Sequence, residues 1–475
     1  MNPISCELSM DGKKGLECFF TPRNVAVVGA SNKEGKMGNL LMRNLTAGFP
    51  GKIYPVHPLE REIAGLPAYP TLTAIPEELD LVIPLIPGEQ LLALVKSCPK
   101  GQVKFLLAIP SGFGEVPSGG KSLERELIRL ARDRDIRVVG PNSAGMLNCI
   151  YGLNGSLLPE LPLGGPGFSC VSQSGGFGMA LYMYSHDHQL RAAKFCDLGN
   201  TADVTVHALL HYFCHDVDTR IVGVFLESLP DPKAFFAQAR ALAAVKPLIL
   251  TKLGRTTAGK RAAFAHLGIH PDSTDMQGED GASKIIPAQT GLEMLHIAKG
   301  LSWQPLPRGR KVGILTGSGG VGTELADLCA EHGLEVPEFS GQLQDALRPY
   351  LPSYASVQNP VDLTPIWWEF PKVYPPLIQT LLGSGEIDLL LVTALDIATT
   401  LEELMYALTE TVTQSRRDGP SAKPLYVYWA SRHSMLKNMR ILEGAHIPCY
   451  QSTLYTVRVA AAICRYAASS SARGD

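Results

Sequence analysis

The stretch "NVAVVGASNKEGKMGNLLMRNL", residues 24–45, reads as a β-branched apolar run, a turn of small residues, and a helix of apolar periodicity. The same order returns in "GFSCVSQSGGFGMALYMY" (167–184) and in "KVGILTGSGGVGTELADLCAEHG" (311–333). A strand buried on both faces is continuously apolar rather than alternating, and a short turn into a helix is the opening of a parallel βα unit. Three openings predict three doubly wound sheets. Further strands are expected in the first at "KIYPV", "LDLVIPL", "VKFLLAI" and "IRVVG". The second continues through "AAKFCDL", "RIVGVFLES" and "KPLILTK", and the third through "IDLLLVTAL" and "PLYVYWA". Proline-bearing connections at 158–167 and 301–310 divide the chain into expected domains 1–160, 161–303 and 304–475.

Composition bounds the function. The 475 residues exceed what one hydrophobic core holds. A net charge of -2 argues against nucleic acid or an anionic membrane as the main partner. The ten cysteines include no C-x-x-C pair and sit mostly in apolar surroundings, which suits reduced thiols in a cytoplasmic protein. No metal site is expected among them. The first 20 residues lack the apolar core of a signal peptide, and the apolar runs are too short to span a bilayer.

Small residues between a buried strand and a helix turn backbone N–H groups and the helix dipole toward an anion. The first turn, "GASNKEGKMG", departs from G-x-G-x-x-G, and "KIYPVHP" ends without the acidic residue that holds a ribose hydroxyl. Lys33, Lys36, Arg43 and Lys52 cluster nearby in sequence instead, which favours a ligand with an extra phosphate such as coenzyme A over a nicotinamide dinucleotide. Close helix–strand packing explains the glycines equally well. The second turn, "SQSGGFG", sets Ser172 and Ser174 before a helix, where serine either caps the helix or holds a transient phosphoryl group. Further on, "GRTTAGKRAAFAHLGIHPDS" (254–273) places His266 after Arg255, Lys260 and Arg261, cations that favour a neutral, nucleophilic imidazole.

Nine motifs occur in one order: "TPRNVAVVGAS…GKMG" (21–38), "GKIYPVHP" (51–58), "IPSGFGE" (109–115), "GPNSAGMLN" (140–148), "VSQSGGFG" (171–178), "LGNTADV" (198–204), "FLESLPD" (225–231), "GRTTAGKRAAFAH" (254–266) and "NPVDLT" (359–364). Together they resemble the alpha-type subunits of the NDP-forming acyl-CoA synthetases, which include ADP-forming acetate–CoA ligase and are related to succinyl-CoA synthetase. The resemblance spans about Phe20 to Tyr466. It implies an α/β fold: a Rossmann-like CoA-binding domain followed by two flavodoxin-like doubly wound parallel-sheet domains. It implies a ligase forming an acyl-CoA from a small carboxylic acid and CoA, through a phosphohistidine and an acyl phosphate. ATP and Mg2+ are expected to act through a separate ATP-grasp beta-type subunit, in an oligomer.

Residue by residue, the resemblance makes His266 the phosphorylated histidine and Glu227 its carboxylate partner. Ser172, Ser174 and Gly175 are expected to hold the phosphoryl group. CoA is expected along Gly29, Ala30, Ser31, Lys36, Gly38, Lys52, Ser111 and Gly112, with its thiol end at Asn142 and Ser143. The chain departs from the family pattern just after His266, where Leu267 stands for a small hydroxyl residue and the loop is shorter. His270 is a second histidine in that loop. This departure leaves a non-catalytic CoA- or acyl-CoA-binding protein as the alternative. A nicotinamide-dependent oxidoreductase is disfavoured by the missing acidic residue. Trp367, Trp368 and Phe370 in "TPIWWEF" are expected to pack or to meet another subunit rather than to line a substrate pocket.

Overall fold

The computed structural model describes residues 15–116, 119–267, 284–417 and 422–471. The chain divides into two compact units, Met1–Gly291 and Leu292–Asp475. Among the described residues, the first holds two large sheets and a two-stranded one, Glu62–Ile63 with Leu66–Pro67, and the second holds one.

In the first sheet, strands Lys52–Val56, Asn24–Val28, Leu79–Pro84, Val103–Leu107 and Arg137–Val139 lie side by side in that order, all parallel. Leu79–Pro84 is buried at every residue, which is why it is apolar at all but Asp80, whose carboxylate is paired with Lys104 at 2.7 Å. Pro55 falls in the edge strand, where its missing N–H costs no ladder bond. The strand order reverses direction between Asn24–Val28 and Leu79–Pro84, and that switch point leaves a crevice beyond their carboxyl ends.

The second sheet runs Ile285–Pro287, Leu248–Lys252, Thr219–Leu226, Gly164–Ser172, Ala192–Asp197, Gly145–Asn148 and Leu153–Ser156. Its first five strands are parallel, and the last two form an antiparallel hairpin added at the edge. That hairpin precedes residue 160 yet belongs to this sheet. One core joins the two large sheets of the unit. Phe19 and Phe20 are wholly buried, with Phe19 5.5 Å from the Phe105 ring and Phe20 stacked 4.9 Å from Tyr212.

The second unit carries Val361–Asp362, Val312–Thr316, Leu389–Leu395, Leu425–Ala430 and Cys449–Tyr450, again all parallel. The helix Gly291–Trp303 falls almost wholly in this unit, earlier than the connection at 301–310. Phe370 packs in its core as expected, whereas Trp367 and Trp368 are 42% and 59% exposed and do not serve as core packing within it. Among the described residues eight cysteines carry free thiols, as expected of core thiols, but Cys18 is disulfide-bonded, which corrects that expectation at this position. No helix among the described residues is long and apolar enough to cross a membrane.

Candidate active site

A cleft of about 710 Å³ opens in the first unit, lined from both sheets. The first sheet contributes Leu85–Pro87 and Ile109–Ser111, beyond its carboxyl ends, with Met37 from the helix after the first turn. The connection from the first sheet to the second contributes Asn142–Ala144, and the second sheet contributes Gln173–Gly176 and Asp197. Both walls follow from the same rule. Parallel strands end together, so their following turns collect at one edge, and the crevice forms at each switch point.

The first turn is built for close approach. Gly29 takes φ +85, and a Cβ on Gly38 would stand 2.1 Å from the Gly29 carbonyl oxygen. Helix Met37–Gly48 therefore sits directly on the turn. Ala30 is buried, while the Ser31 hydroxyl accepts the Lys33 N–H at 3.0 Å. Lys33 and Lys36 are exposed beside it. Lys52 is a correction. It opens its strand in register with Asn24, so it lies at the opposite end of the sheet from the turn, 3.8 Å from Glu77. Neighbours in sequence are separated there by the length of a strand.

At the second turn, Ser174 precedes helix Gly175–His188 with extended backbone and makes no side-chain capping bond. Its hydroxyl stays at the cleft wall beside the N–H groups of the first helical turn. Ser172 is different. It is wholly buried, and its hydroxyl accepts the Ser174 N–H and donates to the Ser174 carbonyl, both at 2.9 Å. It shapes the turn rather than facing the cleft. Gly175 is required by space, because a Cβ would lie 2.5 Å from that of Ala144.

The turn at 140–145 is held by its own polar groups. Ser143 is buried, donates to the Asp197 carbonyl at 2.5 Å and accepts the Gly145 N–H at 3.0 Å. Asn142 takes φ +61 and donates to Asn200 at 3.3 Å. Asn200 in turn donates to Glu115 at 2.6 Å and Glu124 at 2.8 Å. Burial alone raises a carboxyl, but the bonds from Asn200, Gly112 and Phe113 outweigh it and hold Glu115 below its ordinary value. The Gly112 N–H is thus spent on Glu115 at 2.5 Å, and Gly112 is not among the cleft residues, whereas Ser111 is.

Glu227 is buried just beyond strand Thr219–Leu226. Its N–H and that of Ser228 both donate to Gln173 Oε1 at 2.9 Å, and Lys252 donates to its carbonyl at 2.7 Å. Gln173 Nε2 donates to Thr201 at 3.2 Å. One amide therefore pins three motifs, "VSQSGG", "LGNTADV" and "FLESLPD", a role the motif pattern alone does not reveal. Asp197 was also missed. Burial pushes its carboxyl from the ordinary 3.8 to about 6, against hydrogen bonds from the Ala144 and Gly199 N–H groups, and the Glu227 charge adds to the rise. His266 falls in helix Thr257–Leu267, but its side chain lies outside the described residues, as do His270 and the loop 268–283. Among the described residues no group of three or more His, Cys, Asp or Glu is placed to hold a metal ion.

Three domain families match along the chain: a CoA binding domain at residues 23–148, a succinyl-CoA ligase like flavodoxin domain at 165–298, and a Ligase-CoA domain at 312–474. The acetate–CoA ligase (ADP-forming) II subunit alpha of Pyrococcus furiosus is 31% identical over 438 residues, covering 92% of this chain and 94% of that one. The chain belongs to the alpha-type subunits of the NDP-forming acyl-CoA synthetases. Among solved structures, the dinucleotide-forming acetyl-coenzyme A synthetase 1 of Candidatus Korarchaeum cryptofilum, in complex with phosphate and ADP, superposes with a TM-score of 0.85 at 29% identity. That match covers 96% of this chain and 97% of the other. Against the ADP-forming acetate–CoA ligase of Methanocaldococcus jannaschii, 35% identical over 355 residues, this alpha-type chain spans 49% of the relative's length.

Proposed function

We propose that this alpha-type subunit makes an acyl-CoA from a small carboxylic acid and CoA, taking its phosphoryl group from an ATP-grasp partner that uses ATP and Mg2+. The observation that carries the reading is the cleft, which joins a CoA-type turn on one wall to an open helix N-terminus on the other. CoA lies along the first wall, its phosphates near Lys33 and Lys36 and its thiol end toward Asn142 and Ser143. The apolar side chains of Leu85, Ile86, Pro87 and Ile109 suit its pantetheine arm. His266 carries the phosphoryl group from the partner. An imidazole is a competent nucleophile toward phosphorus, and its phosphoramidate passes the group onward. Glu227 offsets the imidazolium charge. Ser174 and the N-terminus of helix Gly175–His188 hold the phosphoryl group while the acid attacks it. CoA then displaces phosphate from the acyl phosphate.

Calorimetric titration of the full chain tests the CoA wall. CoA binds, dephospho-CoA binds more weakly because the lysines lose its 3′-phosphate, and NAD gives no heat. NAD binding without CoA binding overturns the reading. The three-domain division and a cytoplasmic oligomer with the beta-type subunit belong to the same proposal, and co-purification of an ATP-grasp protein tests the latter.

A further inference from the structure

A thiol that attacks an acyl phosphate must give up its proton. Among the described residues lining the cleft, Asp197 is the single ionisable side chain; every other is apolar, glycine, or a neutral serine, asparagine or glutamine. It ends strand Ala192–Asp197, in register with Ser172, at the meeting point of the turn 142–145 and the helix start at Gly175. Its Oδ2 takes a bond of 2.6 Å from the Ala144 N–H and stands 3.4 Å from where a Gly175 Cβ would be. Its Oδ1 holds a weaker bond of 3.3 Å from the Gly199 N–H. A carboxylate offers about four lone-pair positions, so these two bonds leave it able to accept more.

We infer that Asp197 accepts the proton of the CoA thiol as the thiol attacks the acyl phosphate; the inference rests on the ligase reading above. The S–H bond breaks and its proton goes to Asp197. The sulfur pair forms the S–C bond, the C–O bond to phosphorus breaks, and phosphate leaves with that electron pair. Asp197 then returns the proton to water in the cleft. The groups around it suit the task. The Glu227 carboxyl is the charged side chain that acts on it, and the turn and the helix start bring no ionisable side chain. Cys170 and Cys196 beside it are held as neutral thiols by burial. Its raised value keeps it ionised at neutral pH and yet a stronger base than an ordinary aspartate.

The test is thioester formation by the full chain from CoA and acetyl phosphate, with benzoyl phosphate as a second acyl probe, between about pH 5 and about pH 9. Wild-type kcat/KM for CoA rises through about pH 6 and then levels. Asp197→Asn keeps an acceptor for the Ala144 N–H, so fold and CoA affinity persist. It loses roughly a hundredfold near neutrality. Its rate then climbs with pH toward the ordinary thiol value of about 8.5, so the deficit shrinks in alkali. Asp197→Ser carries the same expectation. Wild-type rates in both variants overturn the inference, as does an equal loss at every pH with the lower inflection intact. Both of those results leave the ligase reading standing. A wild-type chain that makes no thioester from either probe overturns the two together.

Discussion

Replacing Gln173 by alanine removes the acceptor of two buried N–H groups, those of Glu227 and Ser228. Gln173 is itself 5% exposed. An unsatisfied buried donor costs about 1–3 kcal/mol, so two cost about 2–6 kcal/mol if nothing replaces the amide. Gln173 lines the cleft, so water can enter the space left by the side chain and restore part of that loss. The expected net effect is about 2–3 kcal/mol, concentrated on the segment that carries Glu227. Amide hydrogen exchange reads this locally. At about 1.4 kcal/mol per tenfold, the Glu227 and Ser228 amides should exchange roughly thirtyfold to a hundredfold faster. Exchange of Leu248–Lys252 in the same sheet should change far less. Gln173→Glu is the informative control. It keeps oxygen acceptors for both N–H groups but loses the donation to Thr201 and sets a second carboxylate near Glu227. Unchanged exchange at both amides in Gln173→Ala would refute the claim that this side chain fixes the Glu227 loop.

Lys36→Ala should weaken CoA binding roughly tenfold through a lost charge-assisted bond, whereas Lys52→Ala should leave it unchanged, as calorimetry will tell. Asp197→Asn should stabilise the chain at neutral pH. The folded protein holds the Asp197 proton more tightly than the unfolded chain, so that stabilisation is complete below 3.8 and lost as pH rises through about 6. At about 1.4 kcal/mol per pH unit, the ionised residue costs about 3 kcal/mol there. Urea denaturation should show an advantage for the variant of about 1.5 kcal/mol at pH 5, growing to about 3 kcal/mol at pH 7.5.

The three larger sheets were legible because a parallel strand covered on both faces leaves a largely apolar run, as Leu79–Pro84 does apart from Asp80 and Leu389–Leu395 apart from Thr393. The hairpin Gly145–Asn148 and Leu153–Ser156 was not. Its strands are short and rich in Gly, Asn and Ser, and their place is set by pairing with Ala192–Asp197, distant in sequence. The cleft's walls were legible as turns, since Ser111, Asn142, Ser143, Ser174 and Gly175 all reach it. The polar interior was harder. Asp197 closes the run "AAKFCD" and reads as a charge at a strand end, while its burial depends on the Ala144 and Gly199 amides. Lys52 misled for the converse reason. Its nearness to Lys36 in sequence says nothing about which end of a strand it occupies.

The central claim is that His266 carries a phosphoryl group between the acyl site and the ATP-grasp partner. Run backward, acetyl-CoA and radiolabelled inorganic phosphate form acetyl phosphate in the cleft, which phosphorylates the histidine without any partner. The account predicts an acid-labile, base-stable label on the full chain that maps to His266. The label should vanish in His266→Ala, persist in His270→Ala, and be discharged by adding acetate and CoA. A label that maps to His270, or no label although the same chain makes acetyl-CoA from acetyl phosphate, contradicts it.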